Sequence, residues 1–282
     1  MKFKSSKKKI YLCSFSSPDL EKSRVRFLKQ AKKIDIYKKI KIYNFSDLDE
    51  FTKKNIKYYL NKGNYKGYGY YCWKPYIVND FLKRVPKNSI IQYLDIGFHI
   101  NPQGIKKLKY YIKLCEKKNF INFMYKKSNF KKLKKFRQQL YYEYQFSKRD
   151  LWEKFKINEN DKILRSGQIL AGCFFIKKNK YTSNIINDWL KLSKIRNLID
   201  DNKSKNIELK KFIQHRHDQS ILSLLCKKNK THTLSASELD FAYKNGKKTW
   251  EHLRDFPFLA KRDIDFGLFK KVFNKINQII KS

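Results

Sequence analysis

Acidic residues are scarce in this chain. Twenty-five Asp and Glu stand against 66 Lys and Arg, for a formal net charge of +41. Arginine is scarce as well, with 10 of the 66 cations and the other 56 Lys, spread along the whole length. Proteins that read nucleic acid concentrate Arg, whose planar fork fits phosphates and guanine edges. A diffuse Lys excess, together with abundant Asn, Ile, Tyr and Phe, is what an AT-rich coding sequence produces, so no specific nucleic-acid partner is expected. Five cysteines, at positions 13, 72, 115, 173 and 226, show no C-x-x-C spacing. That argues against a zinc site or a disulfide framework and fits a reducing compartment. No apolar run approaches the ~20 residues of a membrane span. The basic start, Met1 to Lys9, is followed by only a short apolar stretch, Ile10 to Phe15, already broken by Cys and Ser. A signal peptide is therefore rejected. Five Pro and nine Gly form no linker, and no repeat is visible, so one domain is the better count.

What is present is a packable chain of 282 residues, 41% hydrophobic and 16% aromatic. Lys9 to Phe15 reads as a first buried strand, and Leu20 to Ile34 as a helix. Lys39 to Asn44 alternates with period two, as a strand does, and Asp47 to Leu60 is helical. After a loop from Asn61 to Cys72, Pro75 suits the first turn of a helix running to about Arg84. Ile90 to Leu94 reads as a third strand. Strands alternating with helices imply an α/β protein with a mostly parallel, doubly wound sheet.

The second half is less regular. Gln103 to Lys118 is an amphipathic helix and Phe120 to Tyr125 a strand. Ser128 to Tyr144 is expected to be helical. A helix through Phe155 has Asp150 as its candidate cap. Gln168 to Lys177 reads as a loop entering a strand, Tyr181 to Arg196 as a helix, and Gln219 to Cys226 as another. From 267 to 282 apolar residues fall at 268, 269, 272, 273, 276, 279 and 280, opposed by lysines. This C-terminal helix, set apart from a domain at 1–266, would either pack on the domain or lie on an anionic membrane surface.

Three constellations carry chemistry. Asp95 ends the third strand and is followed by Ile96 and Gly97; ligands of open α/β sheets bind beyond the carboxyl ends of strands. Its bland reading is a strand-terminal turn. His215-Arg216-His217-Asp218-Gln219 precedes a helix. Asp218 there is a candidate base or hydroxyl ligand, and His215 and His217 candidate metal or diphosphate ligands. The bland reading makes Asp218 an N-cap. Lys74, behind Trp73 at a helix start, would make an anion site, and Trp73 would stack on a base or sugar ring or fill the core. The Gly67/Gly69 loop matches no phosphate-loop or dinucleotide fingerprint, and no metalloprotease, serine-hydrolase or kinase signature appears.

The segments GYGYYCWKPYIV, IIQYLDIG, FSKRDLW, QILAGCFFI and FIQHRHDQSILSLL, in this order over roughly residues 9–226, resemble a family of bacterial glycosyltransferases of the GT-A fold. Those enzymes serve surface polysaccharide and lipopolysaccharide assembly. The resemblance implies a nucleotide-sugar donor over the first strands and a glycan or lipid-linked acceptor near the later loops. Asp95 takes the first position of an Asp-x-Asp element that holds a divalent cation and the donor diphosphate. The second position is Gly97, so Mn²⁺ or Mg²⁺ dependence is open, with Asp95 and His217 as the candidate ligands. Ser14 would lie near the nucleotide and Lys74 near the donor. Arg149 falls in a matching segment and is a substrate-binding candidate. Gln168, Ala171 and Gly172 would line the sugar pocket, and Asp218 with Gln219 would face the reacting sugar, with His217 beside them. The expected setting is cytoplasmic, peripheral at the inner membrane through residues 267–282. The rival readings are a basic nucleic-acid binder and a non-catalytic glycan-binding protein of the same fold.

Overall fold

The structure, a computed structural model, describes residues 10–128 and 135–261. A central six-stranded sheet has the order β2-β1-β3-β5-β4-β6, built from β1 (Ile10–Phe15), β2 (Tyr37–Tyr43), β3 (Ile90–Leu94), β4 (Phe120–Met124), β5 (Ile169–Lys177) and β6 (His232–Ser235). β1 pairs in parallel with β2 and β3, and β4 with β6. β5 runs against both its neighbours, β3 and β4. The sheet is mostly parallel, as the strand–helix alternation implies, with one reversed strand.

Alternation along the strands fills two cores, because successive side chains point to opposite faces. Tyr11, Cys13 and Phe15 of β1 join the core under α3 (Trp73–Arg84), α6 (Lys180–Ser193) and α7 (His217–Lys228). Ile10 and Leu12 join the core under α1 (Glu21–Lys33) and α4 (Ile105–Lys118). α2 (Glu50–Asn61) starts where Asp49 accepts the Thr52 amide at 2.9 Å, and Ile56 and Tyr59 bury its apolar stripe. The short α5 (Arg149–Lys154) precedes β5. None of the described helices is long and apolar enough to cross a membrane.

Two sequence expectations change. Residues 136–142 are not helical, and only one turn, Glu143–Phe146, follows them. Apolar residues do fall at helical spacing across the expected span, at Phe130, Leu133, Phe136, Leu140 and Tyr144, but tertiary pairing overrides the pattern. The backbone pairs sideways instead, Arg137 with Tyr243 and Tyr142 with Gly167. Asp150 is not a cap: Lys148 holds that position, and the Asp150 carboxylate accepts the Lys205 amide at 2.9 Å. The expected helix at 267–282 lies outside the described residues.

Candidate active site

The carboxyl ends of β1 to β4 and β6 share one edge of the sheet, and the reversed β5 brings its first residues to the same edge. At its centre three charged groups meet. The Lys74 ammonium lies 3.2 Å from Asp95 Oδ1 and 3.1 Å from Asp218 Oδ2. The lysine and Asp218 side chains are each only 3% exposed, while Asp95 is 28% exposed and forms the open face of the triad. The rings of Tyr71 and Tyr93 stand 4.8 and 5.2 Å from the ammonium, and the Ala171 carbonyl accepts from it at 3.4 Å.

Local sequence explains each position. Lys74 sits in the first turn of α3, and its stem is buried between aromatics. Tyr93 and Asp95, two residues apart in an extended segment, share a face, and the phenol donates to Asp95 Oδ1 at 2.5 Å. Burial first, and Asp95 second, hold the Tyr93 phenol well above its ordinary pKa, so it stays a donor. The pairing of β3 with β5 continues one residue further, where the Asp95 amide donates to the Gly172 carbonyl at 2.8 Å. A Cβ on Gly172 would come within 2.9 Å of Asp95 Oδ2 and 3.0 Å of the Phe98 ring. Gly172→Ala is therefore expected to displace the Asp95 carboxylate from Tyr93 and Lys74. A displacement of this kind costs roughly 10²-fold in turnover with little loss of Tm. Unchanged turnover would show that the Asp95 position is not critical.

One ammonium cannot neutralise two carboxylates in a dry setting. Burial, partly offset by Lys74 and reinforced by Asp95, pushes Asp218 up to about 7. Burial alone would lower Lys74, but Asp218 and Asp95 outweigh it and raise the lysine above its ordinary value. Both directions agree with one picture. Lys74 stays ionised, and the deeply buried Asp218 holds a proton below neutrality, with the better-solvated Asp95 beside it.

Behind Asp218, a polar chain orients the floor of the site. Glu143, fully buried, is paired with Lys227 and accepts from the hydroxyls of Ser147 and Ser223. Gln168 turns its amide nitrogen toward Glu143 and Ser220, so its oxygen accepts from Gln219 Nε2 at 2.7 Å. Gln219 Oε1 then accepts the Ala171 amide at 3.2 Å. The Ala171 peptide thus links this chain to Lys74.

The remaining sequence candidates are placed as follows. Asp218 is inside the first turn of α7, where Arg216 holds the cap position, and its side chain goes to Lys74. Lys74 itself is no open anion site, because its ammonium is held by carboxylates. Ser14 is buried and donates to the Leu94 carbonyl at 2.7 Å, tying β1 to β3. Trp73 stacks on Phe15 at 3.9 Å and donates to the Gly67 carbonyl, so its ring is core. Gly97 lies in the turn closed by the Phe98 amide on the Asp95 carbonyl, 3.0 Å. The Arg149 guanidinium is taken up by Glu153 and Glu159 on α5 and the segment after it, outside the Lys74 cluster. A surface cavity of about 300 Å³ beside α5 shares no residue with that cluster.

His215 donates from Nε2 to the Leu198 carbonyl (3.0 Å) and accepts the Lys148 amide, a structural role. His217 adopts a left-handed backbone (φ 51°), stacks on Tyr70 and donates from Nδ1 to the Ile199 carbonyl at 2.7 Å. Burial first, then the Lys66 charge, lower it to about 4, so its 3.7 Å approach to Asp201 is not an ion pair at neutral pH.

Among the described residues no three His, Cys, Asp or Glu side chains gather as metal ligands. Asp95 contacts Lys74 and Tyr93, whereas His217 contacts Ile199, Tyr70 and the vicinity of Asp201. Asp95 and His217 thus share no ligand set, and Asp95 Oδ1 is already taken by the Lys74 ammonium and the Tyr93 phenol, so these residues do not by themselves make a Mn²⁺ or Mg²⁺ site.

Sequence reasoning missed Tyr93 and Glu143. The two-residue spacing to Asp95 was a usable signal for the first, and a lone acid within Tyr141-Tyr-Glu-Tyr-Gln-Phe146 for the second.

No protein-family model matches this chain, and no curated protein matches it. Solved structures similar in shape include a glycosyltransferase involved in glycosylation of the major capsid of PBCV-1. It is 12% identical, with 89% of this chain and 92% of that one covered, at a TM-score of 0.45. Mouse xyloside xylosyltransferase 1 in its apo form is 9% identical, with 82% and 87% covered, at 0.40. The galactosyltransferase LgtC with donor and acceptor sugar analogues is 11% identical, with 82% and 75% covered, at 0.39. At these values the likeness assigns neither a family nor an activity.

Proposed function

We propose that the chain is a glycosyltransferase that moves a sugar from a nucleotide-diphosphate donor to a glycan or lipid-linked acceptor. The observation that carries this reading is the Asp95–Lys74–Asp218 triad at the carboxyl edge of the sheet. The ordered sequence segments that resemble GT-A glycosyltransferases supply its three residues. Glycosyl transfer passes through an oxocarbenium-like state in which the sugar becomes positive. With Asp218 ionised, two carboxylates and one ammonium carry a net negative charge in a dry, preorganised setting, which favours that state over the neutral donor. Asp95, the exposed member, accepts a sugar hydroxyl on Oδ2. Gly172 leaves room for the sugar against that oxygen, and Lys74 holds both carboxylates in place. No metal step enters this mechanism.

Nucleotide release from a panel of nucleotide-sugars, with Mn²⁺, Mg²⁺ or EDTA, tests the reading. Slow donor hydrolysis that is insensitive to EDTA and lost in Asp95→Asn is the expected result. Release that requires metal would overturn the metal-free site. Failure to bind or cleave any nucleotide-sugar would overturn the transferase reading itself.

A further inference from the structure

Arg216 stands one residue before His217 and two before Asp218, but its side chain leaves the triad. Its guanidinium carbon lies 4.2 Å from the centroid of Tyr141 and 3.9 Å from that of Phe146. Those rings are 5.1 Å apart and set at 77°, so they form a corner. Tyr125, at the end of β4, extends the aromatic wall, its ring 4.6 Å from Tyr141. The backbone of Arg216 is anchored independently: its amide donates to the Phe146 carbonyl at 3.1 Å and to Ser220 Oγ at 3.2 Å. The side chain is half-buried, and one of its edges meets the Tyr141 hydroxyl. Among the described residues no carboxylate pairs with it. Arg149 and Arg84, by contrast, are both held by acids.

This corner adjoins the triad. The Tyr141 carbonyl accepts the Gln168 amide at 2.6 Å, and Gln168 and Gln219 separate the corner from Ala171 and Lys74. Two nearly perpendicular rings within about 4 Å confine a guanidinium and shield part of it from water, while N–H donors on its open side remain for a ligand. A planar fork preorganised this way selects a carboxylate or phosphate and pairs with it through two parallel hydrogen bonds.

We propose that Arg216, in its Tyr141–Phe146 corner, is an acceptor subsite that recognises an anionic group, a carboxylate or phosphate carried by the acceptor beside the reacting hydroxyl. The proposal rests on the transferase reading and narrows its acceptor to an acidic sugar or a glycosyl phosphate.

The test uses the full chain and three probes at ~150 mM salt, where exposed charges beyond about 8 Å are screened. Methyl glucuronide, glucose 1-phosphate and methyl glucoside are titrated by saturation-transfer NMR into wild type, Arg216→Gln and Arg216→Lys. At least one anionic probe is expected to bind wild type more tightly than methyl glucoside. That preference is expected to fall roughly tenfold or more in Arg216→Gln and by less in Arg216→Lys, which keeps the charge without the fork. A preference for the glucuronide alone assigns a sugar carboxylate, and one for the phosphate alone a glycosyl phosphate. The +41 charge cannot mimic this result, because the Gln variant removes one charge from a large excess. Equal affinity for all three probes, no binding of either anion, or a preference that survives in a folded Arg216→Gln would each overturn the subsite. Wild type that binds no nucleotide-sugar yet shows the Arg216-dependent preference would sink the transferase reading and leave the anion site standing.

Discussion

Lys74→Met is expected to destabilise the fold by about 3–5 kcal/mol, the cost of removing one partner from a buried ion pair. The Met side chain fills a similar volume, so the loss is electrostatic. Asp218, 3% exposed, is left beside Asp95 with no counter-charge. The sign of the pH dependence identifies the cause. Without the ammonium, Asp218 loses the charge that offsets its burial, so its folded-state pKa rises further and its protonated form favours the fold. The variant therefore regains stability as pH falls from 8 toward 5. Adding Asp218→Asn removes the orphaned charge and is expected to restore much of the loss, a non-additive result of the kind that neighbours in one network give. Thermal unfolding of the two single variants and the double variant at several pH values decides the matter. A Lys74→Met Tm close to wild type would mean that the triad is not dry.

The second large effect concerns Asp218. Its folded pKa of about 7 lies above the ordinary 3.8. The stability this group contributes is therefore fully present below 3.8 and lost as pH rises through about 7. By linkage the difference is on the order of 4 kcal/mol. Asp218→Asn, which cannot ionise, is expected to be more stable than wild type at pH 8. Its turnover is expected to fall about 10²–10³-fold, the scale of losing one preorganised electrostatic group. Wild-type kcat/KM should rise with pH through a midpoint near 7, and the Asn variant should lack that limb. A wild-type profile flat from pH 5.5 to 8.5 would remove Asp218 from the chemistry. A residue that costs stability and supplies rate is what a functional site is expected to contain.

Much of the first half of the fold was legible. Strands β1 and β3 are short apolar runs, β2 alternates with period two, and the Lys-Pro start of α3 lies where Pro75 puts it. Asp95 stood out because a carboxylate ended a buried strand. What stayed hidden were pairings across distance. Nothing local in Gln168 to Lys177 shows that β5 runs antiparallel, since apolar runs read the same in either direction. Asp218 stood out as a candidate base, with a cap as its rival reading because it precedes an apolar helical run, but its engagement with Lys74 depends on how α3 and α7 pack. Ser14 and Trp73 were site candidates by position. Their burial, at 0% and 5% exposure, is set by tertiary packing that periodicity does not report.

The reversed strand also sets an order in time. β2, β1 and β3 can pair as soon as residue 94 has been made, but the outer edge of β3 stays open until Ile169–Lys177 arrives to cover it. Lys74 and Asp95 exist through that interval, while Asp218 and the Glu143–Lys227 pair are completed only in the last quarter of the chain. An unpaired edge of buried-type residues is a template for other chains. A nascent chain stalled between β3 and β5 thus presents a sticky edge and an incomplete charge cluster together. Closing β5 onto β3 buries the edge, and the later arrival of α7 completes the charged site.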